Sequence, residues 1–466
     1  MLEPKVWQLT AGAAAVGLAL AAGAVALAGP WDSGQRAAER EWAAARGRTA
    51  PDTGEAGPPR APAPAPSAPG VLDAVGAPDA AAADLAAVDF AGALGPLLAD
   101  PALGSARTAA VVDVATGKRL YGKDASRPMT PASTVKLATM TAALAALGPG
   151  HRVPTTVVAT PDARTLTLVG GGDATLDKKR LGALADSTAR ALRGRHVTDV
   201  RVGYDTSLYR GPGRHPIGPN DNIAPVSALM VDEGRLDGSR RGPAPRSDDP
   251  ARDAAEEFVR LLHDRGVGTK GAPGRQKPAK DAAVLCRTYS APLSDLVERA
   301  LTESDNDIAE SLARQTALAK DRPASFTGAG QAVQGVLKKL GLPLGGARFA
   351  DGSGLDRHDK VSASLLTGLL ARAADPGHPE LRPVLTGLPV AGFSGTLESR
   401  YANAAPAAGL VRAKTGTLTG VNTLAGTVVD ARGRLLAFAF MAGSTPEPDA
   451  AQKALDRLSA ALVPPA

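Results

Sequence analysis

The segments of this chain that read most clearly as β-strand lie at opposite ends of its globular part, more than 300 residues apart. Thr108 to Val114 and Lys118 to Tyr121 flank the turn Ala115-Thr116-Gly117. Thr423 to Val429 and Leu435 to Met441 flank Asp430-Ala431-Arg432-Gly433. Each pair predicts a hairpin. Between them the chain reads mainly as helix. The runs are Met129 to Leu144, stopped by Gly148 to Gly150, then Leu293 to Leu301 and Ile308 to Leu318. A strand is expected over Gly409 to Ala413, and a last helix from about Asp449 to Leu462. Strands at both ends with helices between them predict one mixed α/β (α+β) domain built from early and late sequence.

Residues 146–285 interrupt that pattern. They carry short strand signals at Thr155 to Ala159, Thr165 to Val169 and Val197 to Val202. A loop charged by Arg240, Arg241 and Arg246 follows, and then an amphipathic helix, Asp253 to His263. This region reads as an insertion that folds on its own sheet, dividing the main domain into 86–145 and 286–466. Residues 30–85 read as a disordered Pro/Ala-rich linker, because the alternating stretch Ala61-Pro62-Ala63-Pro64-Ala65-Pro66 favours extended polyproline II. Residues 1–29 hold an uncharged run from Leu9 to Gly29, preceded by Lys5. Its length suits a membrane anchor, whereas Ala26-Leu27-Ala28 suits a cleaved signal peptide. The run exceeds a usual signal core, which favours the anchor. Either reading puts the bulk of the protein outside the cytoplasm.

Composition narrows the function classes. Aromatics make up only 3% of the 466 residues, so the cores must be built from Ala, Leu and Val. A formal charge of +6 without a long block of one sign is a mildly basic surface and not a nucleic-acid footprint. Cys286 is the only cysteine; it can form no intrachain disulfide, reads as a small hydrophobe, and is too far along the chain to be a lipid-bearing N-terminal cysteine. The six histidines (His151, His196, His215, His263, His358, His378) have no metal-ligand spacing, and no metal or other cofactor is expected. Asp173 reads as a turn cap that could also reach a cleft.

Three short motifs carry the chemistry, and each occurs once: Ser133-Thr134-Val135-Lys136, Ser304-Asp305-Asn306 and Lys414-Thr415-Gly416. Helix positions i and i+3 share a face, so the amine of Lys136 would point at the Ser133 hydroxyl. A serine is a weak nucleophile until a base takes its proton. An ordinary lysine at pH 7 lies about 4.6 kcal/mol from its base form, so the site must lower the Lys136 pKa. Burial and the charge of Lys414 would both do so. Ser304 could relay a proton to a leaving amine, and Asn306 could hold a substrate amide. Lys414 and Thr415 could take a terminal carboxylate, and Gly416 would let a substrate backbone come close.

In these residues the chain resembles the penicillin-recognising serine enzymes, with their Ser-x-x-Lys, Ser-x-Asn and Lys-Thr-Gly signatures. Within that group it is similar to the low-molecular-mass class C penicillin-binding proteins, the D-alanyl-D-alanine carboxypeptidase/endopeptidases. Further matches are the 171-residue interval between Ser133 and Ser304, the segment Leu168 to Asp173, the segment Ala224 to Leu229, Asp351-Gly352-Ser353-Gly354-Leu355 and Gly392 to Leu397. Ala174 departs from the proline expected after Asp173. The resemblance spans roughly residues 85–463 and implies a DD-peptidase/β-lactamase-like transpeptidase domain with a large insertion. It implies Ser133 as nucleophile, Lys136 as base, Ser304 and Asn306 as the second wall, and Lys414 and Thr415 as a carboxylate clamp. The backbone N–H groups of Ser133 and Thr417 would form the oxyanion hole. The implied substrates are peptidoglycan peptides ending in D-Ala-D-Ala, with β-lactams as acylating inhibitors. Two alternatives stand beside it. A β-lactamase of class A would need a Glu-x-x-Leu-Asn segment, and none occurs between Asp307 and Lys414. A non-catalytic wall- or penicillin-binding module would not need all three motifs.

Overall fold

The structure is a computed structural model and describes residues 89–401, 407–430 and 433–463. The expected anchor and linker lie outside those residues, and among the described residues no helix is long and apolar enough to cross a membrane. The described chain opens with α1 (Phe90–Leu98), then the hairpin β1 (Ala106–Asp113) and β2 (Arg119–Lys123). A 3-10 turn (Ala132–Val135) leads directly into α2 (Lys136–Leu147). Next come β3 (Pro154–Ala159), β4 (Thr165–Gly170), α3 (Lys178–Arg193), β5 (Asp199–Asp205) and α4 (Pro250–His263). The strands β6 (Gly268–Thr269), β7 (Gly274–Arg275) and β8 (Ala283–Tyr289) precede α5 (Leu293–Thr302), α6 (Asn306–Ala319), α7 (Phe326–Lys339) and α8 (Ala363–Ala374). A single turn, α9 (Pro383–Thr386), leads towards β9 (Arg412–Leu418), β10 (Val421–Val429) and β11 (Leu435–Gly443), and α10 (Pro448–Ala460) closes the chain.

The two distant hairpins do meet. The first sheet runs β2-β1-β11-β10-β9, antiparallel throughout, with Ala106 of β1 opposite Gly443 of β11. Both of its faces are covered. Along β11, Ala437, Ala439 and Met441 join the core formed with α2, α5, α6, α7 and α8, whereas Leu436, Phe438, Phe440 and Ala442 join α1 and α10. This is the period-2 alternation of a strand buried on both sides. The two alanines and the methionine let the helical layer come close, and the Phe438 and Phe440 rings, 5.3 Å apart, fill the other face. Every residue from Lys136 to Leu144 is buried, so α2 is a core helix packed on all sides. Gly148, with φ of 82°, ends it.

The intervening region forms a second sheet, β6-β5-β4-β3-β8, with β7 also paired to β5. β4 and β5 are parallel and joined through α3, and a separate core is built by Leu166, Leu168, Leu181, Leu192 and Phe258. Two expectations change. The strand anticipated at 409–413 begins instead at Arg412, because residues 407–411 turn: Gly409 has φ of 78°, and the Leu410 N–H bonds the Ala407 carbonyl. Hence Lys414-Thr415-Gly416 does not follow a strand but lies within one, with Lys414 opposite Ala425. In addition, β8, α3, α7 and α8 carry structure where the sequence offered no separate signal.

Candidate active site

Ser133 sits in the 3-10 turn that opens α2, preceded by Ala132 at a φ of 48°. A left-handed alanine costs of order 1–3 kcal/mol and is held there only by its surroundings. Gly354 leaves room for that turn: a side chain at Gly354 would come within 2.1 Å of the Ala132 carbonyl. One turn on, Lys136 is fully buried, and its Nζ lies 3.1 Å from Ser133 Oγ. The same nitrogen lies 2.6 Å from Asn306 Oδ1 and 2.7 Å from the Ser353 carbonyl. Those two oxygens can take the two N–H bonds of a neutral amine, which leaves its lone pair facing the serine hydroxyl. Burial lowers the Lys136 pKa to about 8, against the pull of Asp351, Asp305, Glu310 and Asp307. At pH 7 the base form then lies only ~1.4 kcal/mol away.

Ser304 has a φ of 57°, which swings it out of the loop between α5 and α6, and Asp305 caps α6 by accepting from the Ile308 N–H at 3.0 Å. Capping is thus done by the middle residue of the motif, which leaves the side chains of the outer two for other contacts. Ser304 Oγ accepts from Lys414 Nζ at 2.9 Å. Asn306 uses both ends of its amide, since Nδ2 donates to the Asn222 carbonyl at 2.9 Å while Oδ1 meets Lys136. It ties the base to the inserted region rather than pointing freely at a substrate.

On β9, Thr415 and Thr417 face a cleft of about 300 Å³ that Ser133, Ser304, Thr396, Arg400 and Gln452 also line. Lys414 is fully buried behind it, donating to Ser304 Oγ and to the Thr415 carbonyl at 2.8 Å. Its pKa is held well below the usual lysine range, first by burial and then by the charge of Lys136. The two buried amines repel each other, and that repulsion bears on Lys414. Gly416 finds a use other than the one expected. A side chain there would meet Thr423 Oγ1 at 2.2 Å and the Pro131 carbonyl at 2.6 Å, so the glycine lets β9 lie against the turn that carries Ser133.

Sequence reasoning did not single out Thr396, Arg400 or Gln452. Thr415 Oγ1 donates to Thr396 Oγ1 at 2.9 Å, and Arg400 is fixed by Asp456 and by the Gln452 carbonyl. Only Thr396 had a signal, since it belongs to the Gly392 to Leu397 match. Asp173 caps its turn through the Thr175 N–H and pairs with Arg180 at 2.6 Å, away from the cleft. Cys286 is half-buried against Thr188, and burial raises its thiol pKa, the opposite of an activated cysteine.

A second buried cluster braces the Ser-Asp-Asn loop. Glu233 and Arg235 pair with each other at 2.8 Å, Arg246 pairs with Asp307 at 2.8 Å, and Arg299 bridges Glu233 and Asp305. Burial pushes Glu233 up to about 8 and Asp307 to about 7.

This arrangement can activate a serine by a desolvated amine beside an oxygen-lined cleft. Comparison with known proteins agrees with that chemistry. A family model described as D-Ala-D-Ala carboxypeptidase 3 (S13) matches residues 90–241 and 237–462. Carboxypeptidase DacB of Mycolicibacterium smegmatis is 37% identical over 431 residues, covering 88% of this chain and 90% of its own. A D-alanyl-D-alanine carboxypeptidase of an Actinomadura species is 31% identical over 455 residues, covering 77% and 82%. The crystal structure of penicillin binding protein 4 from Haemophilus influenzae shares the fold, with a TM-score of 0.66 at 23% identity over 80% of this chain and 98% of that one.

Proposed function

The chain belongs to the D-Ala-D-Ala carboxypeptidase 3 (S13) family and is a serine-type D-Ala-D-Ala carboxypeptidase, and from that premise we propose how its own residues perform the reaction. Ser133 Oγ attacks the carbonyl carbon between the two terminal D-alanines while its proton passes to the neutral amine of Lys136. The negative charge that develops on the carbonyl oxygen is met by the backbone N–H groups of Ser133 and Thr417. One such donor is typically worth ~2.7–4 kcal/mol in the barrier. Collapse expels the terminal D-alanine, whose amine receives the proton by way of Ser304. Water then hydrolyses the Ser133 ester, freeing the shortened peptide and restoring the hydroxyl. Thr415 holds the terminal carboxylate, with Lys414 behind it, and a bound anion would draw a proton back onto that amine. A β-lactam would acylate Ser133 by the same attack, the ring amide standing in for the scissile bond.

The single observation that carries this reading is the 3.1 Å approach of Lys136 Nζ to Ser133 Oγ, with the other amine positions taken by two carbonyl oxygens. The enzyme works outside the cytoplasm, tethered by residues 9–29 through the Pro/Ala-rich stretch. The uncharged run after Lys5 and a wall-bound substrate support that location. Release of D-alanine from a peptide ending in Lys-D-Ala-D-Ala tests the assignment. The wild-type chain should turn over, and Ser133→Ala should lose at least about a thousandfold while keeping its melting temperature. Turnover surviving in that variant would move the nucleophile elsewhere.

A further inference from the structure

His215 belongs to the long segment between β5 and α4, within the inserted region, yet its ring is buried beside the loop that holds the base. Its Nδ1 accepts the Ile217 N–H at 3.2 Å, which leaves Nε2 as the protonated nitrogen. Nε2 donates to Asp351 Oδ2 at 2.9 Å. The ring stands edge-on to Phe326, with centroids 5.3 Å apart, so it cannot swing away without losing that packing. Asp351, Glu310 and Asp356 all bear on it from the far side of the junction.

Asp351 gathers the rest of its loop. It accepts from the Ser353 N–H at 3.0 Å, the Gly354 N–H at 2.6 Å and the Asp356 N–H at 2.7 Å. Two residues after Asp351, the Ser353 carbonyl accepts from Lys136 Nζ, and the next residue, Gly354, packs against the backbone of Ala132 and Ser133. Imidazole, carboxylate, loop and catalytic amine thus form one unbroken set of contacts. A cation among His215, Glu310 and Asp351, whose candidate ligand atoms lie within 4.8 Å of one another, would have to displace these bonds. Glu310 is equally engaged, accepting from the Gly352 and Ser353 N–H groups at 2.9 Å each and pairing with Arg314 at 3.2 Å.

We propose that His215 is a positioning residue for acylation: by holding the Asp351 carboxylate it fixes the Ser353 carbonyl that aims the Lys136 amine at Ser133. The inserted region then contributes to the rate although none of its residues lines the cleft described above. This inference rests on the assignment of Ser133 and Lys136 made above.

The test separates rate from binding and from folding. Acylation by benzylpenicillin is followed for wild type, His215→Phe, which keeps a ring but has no donor, and His215→Gln, which keeps an N–H donor. His215→Phe should lower the saturating acylation rate constant about tenfold or more, because small misplacements of a reacting group are costly. Its non-covalent affinity for the drug and its melting temperature should stay near wild type. His215→Gln should acylate within about threefold of wild type, the misplacement being largely repaired. Normal acylation by His215→Phe would overturn the proposal, and so would an equal loss in both variants. Should His215→Phe fail to fold, His215→Asn, too short to reach Asp351, takes its place with the same expectations. Ser133→Ala runs alongside: label on that variant would defeat the underlying assignment, whereas a clean blank with unaffected His215→Phe defeats the inference alone.

Discussion

The two sheets of this enzyme are built on different terms. In the first, β10 is buried at every position but Val429 and β11 at every position but Leu435, because helices cover both faces. In the second, β3 alternates buried with half-buried residues and β8 has no buried residue at all. A two-sided sheet fixes its edge strand by packing from above and below, and β9, the edge that carries Lys414, Thr415 and Thr417, profits from this. The second sheet puts no side chain into the cleft. It acts through long loops that deliver Asn222, Glu233 and His215 to the far side of the catalytic residues. Chemistry sits where backbone freedom is least, and support comes from the more open layer.

That contrast can be broken experimentally. The largest effect is expected at the base: Lys136→Ala should slow acylation by about 10²–10⁴, the usual worth of a general base, with penicillin still binding reversibly. Stopped-flow labelling reads this directly, and near-normal acylation would remove Lys136 from its role. In the wild type, acylation should rise about fivefold between pH 7 and pH 8, since the amine becomes neutral as pH climbs through about 8. A flat profile would mean that burial does not set the base. Phe258→Ala, in the core of the second sheet where the ring is fully buried, should cost ~3–5 kcal/mol of stability. Acylation per folded molecule should change least of all, less than about threefold, if the second sheet acts only by support. A large loss of rate at unchanged stability would erase the distinction between the two layers.

Much of this was legible in the residues. The hairpins at 108–121 and 423–441 announced one sheet from distant sequence, and β1 does pair with β11. The three motifs identified the groups around Ser133, because i and i+3 on a helix share a face whatever the rest of the fold does. What stayed hidden depends on tertiary packing. Nothing local reveals that Gly416 is empty to admit the Pro131 turn, or that Gly354 is empty to admit the Ala132 carbonyl. The start of β9 was misplaced since Leu410 and Val411 are as apolar as a strand, and only the left-handed Gly409 shows that the chain is still turning there. β8 escaped because a strand with no buried face carries no alternation to read. Arg400 and Gln452 come from the last 67 residues and gave no motif; their place beside Ser133 follows from how α10 docks on the sheet.

Which atom carries the acyl group decides the mechanism. The chain should be incubated with benzylpenicillin, digested, and the modified peptide sequenced by mass spectrometry. One adduct per chain, attached to Ser133, is the expected result. An adduct on Ser304 or on any other residue, or no adduct from an enzyme that still releases D-alanine, would contradict it.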